Sequence, residues 1–141
     1  MALNPSQTTT TVWSQDAKAN GSDIVKHAFD WVSNASGAAT LASTLPVSGQ
    51  ILRVVIVPSA VAGKEPTILY DMTLTDEQSI DVLAGQGANL SDTASLNVCP
   101  GTPLKDGITT TTMPMVVDGI LTLNVSNAGN TKAGRVIVYV R

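Results

Sequence analysis

Charge is scarce in this chain. Asp, Glu, Lys and Arg make up 13% of its 141 residues, about half the ~25% usual in a soluble domain. Ser, Thr, Asn, Gln and Gly must dress most of its surface, with some apolar side chains among them, and such a surface resists association weakly. The eight Lys and Arg are scattered from Lys18 to Arg141 and the net charge is −3. Phosphate backbones require clustered cations, so no nucleic-acid partner is expected. A long hydrophobic run is missing too. The longest apolar stretch, Ile51 to Pro58, contains Arg53 and falls well short of the ~20 residues needed to cross a bilayer, so no membrane partner is expected. Met1 to Thr11 has neither a cationic start nor an apolar centre, and no secretory signal is expected there. A single cysteine, Cys99, rules out an intrachain disulfide. These features suit a reducing cytoplasm.

Groups able to do chemistry are equally few. The one histidine, His27, falls beside Phe29 and Trp31 in a strand-like segment; a catalytic triad needs a histidine near a nucleophile and a carboxylate, so it reads as a core or interface residue. A metal centre of the cupin kind needs several His and carboxylate ligands, and no metal or cofactor is expected. Cys99 precedes Pro100 and Gly101 without an activating cation and reads as a buried or loop thiol. Asp76, Glu77 and Asp81 cluster where they suit a helix N-terminus. Asp71 and Asp118 are the remaining candidates for a pair facing across a groove, as a glycosidase requires, although nothing in the sequence singles them out. Gly85-Gln-Gly87 lacks the residues of a phosphate loop and reads as a turn. Trp13, Trp31 and Tyr70 suit core packing or a protein contact, or stacking on a sugar. The chain is expected not to be an enzyme.

What the chain has in abundance is Val, Ile and Thr, 41 of 141 residues, whose branched side chains fit a pleated, half-buried surface. Leu121, Leu123 and Val125 alternate with Thr122, Asn124 and Ser126, the period of an antiparallel strand with one wet face. Arg135 to Arg141 repeats the pattern through Val136, Val138 and Val140. The turn-rich segment from Asn127 to Gly134 between them predicts a hairpin. Ile68, Tyr70, Met72 and Leu74 form another apolar face, and Val25, His27, Phe29 and Trp31 a further one. Ile51 to Val57 is apolar on both faces and predicts a central strand. Ala39 to Leu45 predicts a shorter strand after the turn Ser33 to Gly37, with short strands near Val98 and from Met115 to Val117. Strands at this spacing, separated by Gly, Pro, Asn and Ser, predict an all-β fold, an antiparallel β-sandwich of jelly-roll-like form.

One segment differs. Thr75-Asp-Glu-Gln78 has the form of a capping box, with Ile80, Leu83 and Ala84 at helical spacing and a stop at Gly85; it predicts one short helical turn. Residues 1–20 lack a buried face and are expected to form an extended arm, leaving 21–141 as the β-sandwich domain. Thr8, Thr9, Thr10, Thr11, Val12 and Trp13 are the candidate interface residues of that arm.

Pro103-Leu-Lys-Asp-Gly107, Met113-Pro-Met-Val-Val-Asp-Gly119, Leu121 to Gly129, Gly134 to Val140 and Asp81 to Gly87 together resemble small virion proteins of tailed bacteriophages, above all capsid decoration (cement) proteins. The resemblance covers about residues 45–141 and assigns no functional residue. It implies a jelly-roll-like sandwich on the capsid exterior of the virion, made in the host bacterial cytoplasm. There it would bind the major capsid protein and bridge capsomers as a homo-oligomer, a dimer or trimer. The alternative is a glycan-binding β-sandwich module of a fibre or adhesion protein, using Trp13 or Trp31.

Overall fold

The computed structural model describes residues 12–16, 23–103 and 112–141. These form β1 (Val12–Asp16), β2 (Val25–Val32), β3 (Ala39–Ala42), β4 (Val47–Pro58), β5 (Asp71–Thr75), β6 (Leu96–Val98), β7 (Gly101–Pro103), β8 (Thr112–Pro114), β9 (Val116–Gly119), β10 (Thr122–Ser126) and β11 (Ala133–Val140). The protein is all-β, every pairing is antiparallel, and no helix occurs among the described residues.

The large sheet runs β1-β2-β11-β4-β6, with β9 also on β4; the small sheet runs β3-β10-β5, and β7 and β8 pair as a ribbon. Alternation puts His27, Phe29 and Trp31 of β2, Val54 and Ile56 of β4, and Val136, Val138 and Val140 of β11 on one buried face. Met72 and Leu74 of β5 and Leu123 and Val125 of β10 join the same buried cluster from the small sheet. Truncating one of these, such as Leu123 to Ala, would cost roughly 2–5 kcal/mol. The central place expected for Ile51 to Val57 is the one that β4 occupies. Opposite β11, Tyr139 pairs with Arg53 and Val140 with Ile51, so Leu52 is an extra residue in the ladder, a bulge.

Three local expectations are corrected. The strands at 122–126 and 133–140 do not form a hairpin. Leu123 lies between Leu41 and Leu74, whereas Ile137 lies between Ala28 and Val55 in the other sheet. The turn residues are real: Asn127, Gly129 and Thr131 all have positive φ. They carry the chain from one sheet to the other, and the crossing is pinned from outside. Ala128 N–H donates to Gly37 O, Thr67 N–H to Ala128 O, and Lys132 N–H to the buried Ser33 hydroxyl. Turn chemistry marks a reversal without naming the strands that pair across it.

The helical turn after Thr75 is absent as well. The Asp76 carboxylate accepts from Gln78 and Ile80 N–H, while the Thr75 hydroxyl donates to Thr122 O in place of capping. Ser79 at φ 63° and Ala84 at φ 52° interrupt any right-handed run. Local side-chain bonds to the backbone have outcompeted the helix. Finally, Ile68 does not share the inward face of Tyr70, Met72 and Leu74. Leu69 at φ 65° breaks the alternation, and the strand begins only at Asp71.

Candidate interaction surfaces

Of the arm's candidate residues, Thr8, Thr9, Thr10 and Thr11 lie outside the described residues. Val12 and Trp13 belong to β1, opposite Asp30 and Phe29. Trp13 is half-buried and stacks on His27, packing against the core cluster. Trp31 is fully buried, 5.8 Å from the Tyr70 ring, so it has no face open to a sugar.

His27 is 2% exposed and its Nδ1 has no hydrogen-bond partner. Burial pushes the imidazole below its ordinary 6.5. Cys99 is exposed in the loop between β6 and β7. It lies in a cleft of about 470 Å³ whose lining among the described residues, including Ala84, Gln86, Leu96 and Asn97, carries no charged side chain.

The candidate carboxylates, Asp71, Asp76, Glu77, Asp81 and Asp118, are engaged in the architecture. Asp81 accepts from the N–H groups of Leu74, Leu83 and Gly85, and Glu77 from Ile120 N–H. Asp71 and Asp118 stand on β5 and β9, which belong to different ladders. Asp71 accepts from Asn89 N–H and the Asn127 amide, and these bonds hold its carboxyl below the ordinary value. A glycosidase acid needs the opposite shift. Asp118 accepts from the Ser48 hydroxyl at 2.6 Å. Among the described residues no group of three or more His, Cys, Asp or Glu is placed to hold a metal ion.

What the surface does present is aliphatic. At the end of the sheets where β2 and β4 finish and β11 begins, Val61, Ile68 and Leu69 are 58%, 62% and 57% exposed. These side chains ride on a braced loop. Lys64 O accepts from Ala133 N–H, Thr67 N–H donates to Ala128 O, and Leu69 N–H donates to Leu90 O. Leu69 is also held at φ 65°, a left-handed conformation that costs a residue with a Cβ roughly 1–2 kcal/mol. Strain of this kind persists only where surrounding structure over-determines it, and it collects at functional sites. Leu45, Ile80 and Val116 are exposed toward the opposite end. Sequence patterning missed the Ile68–Leu69 knob because a left-handed leucine has no signature in residue order.

No protein-family model matches the chain, and neither a curated protein nor a solved structure does.

Proposed function

We propose that this chain is a structural virion protein, a jelly-roll-like β-sandwich that binds the outer surface of a phage capsid and stabilises it by bridging capsomers. The observation that carries the reading is the exposed Ile68–Leu69 pair on its braced, strained loop. Large aliphatic side chains on a backbone already braced add contact free energy on docking with a smaller loop-ordering cost. The virion-like motifs of residues 81–140 supply the kind of partner, the major capsid protein. Low charge suits a surface that is covered in use, and many weak contacts on one shell multiply into firm attachment.

The test is binding of the purified chain to empty, expanded heads, followed by co-sedimentation and by the temperature at which the heads disrupt. Saturable binding with a raised disruption temperature is expected. Leu69→Asp is expected to weaken it about tenfold or more, a loss of ~1.4 kcal/mol. Absence of binding, or binding that leaves head stability unchanged, would overturn the proposal.

A further inference from the structure

The large sheet has a second face, turned away from the core cluster, and its pattern is self-complementary. Three strands place an apolar residue in one row across it: Ala28, Ile137 and Val55 are direct cross-strand neighbours and all are half-exposed. The row on one side is Lys26, Tyr139 and Arg53, in the same strand order, with the Arg53 guanidinium 4.8 Å from the Tyr139 ring centroid. The row on the other side is Asp30, Arg135 and Val57, where Arg135 forms a two-point pair with Asp30 through Nε and Nη2, the latter at 2.8 Å. An apolar centre bordered by Tyr and Arg has the anatomy of a protein interface. The apolar residues on both faces of β4 have one explanation on the inside, and this row is what remains on the outside.

We infer that this face docks a second copy of the chain about a two-fold axis lying along the Ala28–Ile137–Val55 row. Charge selects both the partner and the axis. A two-fold along that row turns each copy end for end while keeping strand over strand. Lys26 then faces Asp30 of the second copy, Tyr139 faces its Arg135, Arg53 faces its Val57, and Ile137 faces itself. The carboxylate of Asp30 retains acceptor sites beyond those that Arg135 uses, and an ammonium has three donors. The other two-fold available to stacked sheets, along the strands, sets Lys26 against Arg53 and Arg135 against Arg135. Like charges opposed in this way oppose association. Five strands at ~4.8 Å and at most five residues at ~3.3 Å, with only Leu96–Val98 contributed by β6, bound the contact at about 400 Å² per copy, half of a standard interface and in the range of weak, transient ones. The dimer is therefore concentration-dependent. This inference rests on sheet register and side-chain charge, and it stands apart from the capsid reading.

A residue on a two-fold axis meets its own copy, which supplies the test. In a Cys99→Ser background, Ile137→Cys treated with a short bis-maleimide is expected to give covalent dimers. Ser91→Cys, in an exposed loop, should give at most a tenth as much. In sedimentation the unsubstituted chain should move from monomer to dimer with rising concentration. Lys26→Glu should weaken that dimer about tenfold, and mixing Lys26→Glu with Asp30→Lys should restore it as one-to-one heterodimers. A chain that remains monomeric up to millimolar concentration would overturn the inference. So would a dimer that cross-links no better at position 137 than at position 91. Sedimentation of the unsubstituted chain decides the first point even if a variant fails to fold.

Discussion

The indole of Trp13 stacks on the imidazole of His27, ring centroids 5.6 Å apart and planes inclined by 22°. The stack joins edge strand β1 to β2 beside the buried imidazole. Burial lowers the imidazole's pKa below 6.5, so between the lowered value and 6.5 the unfolded chain binds more protons than the folded one. Stability is then fully present above pH 6.5 and falls as the pH drops through that window. Thermal melts from pH 7.5 to 4.5 are expected to show this decline, and His27→Leu should flatten it. Asp71, also lowered, adds a separate loss only as the pH falls through and below the ordinary carboxyl value of 3.8.

Tyr70 gives the alkaline counterpart. Its hydroxyl is buried without a partner, and burial pushes its pKa up to about 12. The unfolded phenol loses its proton near 10, so stability falls as pH rises from about 10 towards 12. An unpaired buried hydroxyl contributes little, and Tyr70→Phe is expected to match or exceed the parent by up to ~1 kcal/mol. Denaturant melts at pH 7 check the energy, and absorbance at 295 nm checks the phenolate.

Gly134 sits against Trp31. A Cβ there would stand 2.7 Å from the indole Cζ2, and Trp31, fully buried, has no room to yield. Gly134→Ala is expected to destabilise the fold by roughly 1–3 kcal/mol, the usual cost of overpacking. Urea denaturation is the measurement.

Leu69 should show a trade between stability and binding. Leu69→Gly removes the left-handed penalty and is expected to be neutral or to stabilise by up to ~1 kcal/mol, while weakening attachment to heads. A variant that lost stability and kept full binding would show that the knob serves the fold alone.

Much of this was legible in residue order, and the division has a physical basis. Period two and β-branching are local signals, so the strands around Val54, Leu123 and Val138 are readable one by one, as is the inward row of His27, Phe29 and Trp31. Pairing is not local. Nothing in Asn127 to Lys132 reveals that Ala128 is held by Gly37 and Thr67 where the chain passes from the sheet of β10 to that of β11. The apparent helix at 75–85 failed for a related reason. Asp76 and Asp81 satisfy the backbone through their own carboxylates, and spacing alone cannot weigh that competition. The candidate interaction surfaces were the least readable, because Ile68 depends on one left-handed residue and the Ile137 row exists only once the register is known.

Quantitative mass spectrometry of purified virus particles tests the proposed attachment in many copies to a capsid exterior. Hundreds of copies per particle are expected, released together with no loss of the shell's own subunits. Absence from the particle, or a dozen copies or fewer, would contradict it.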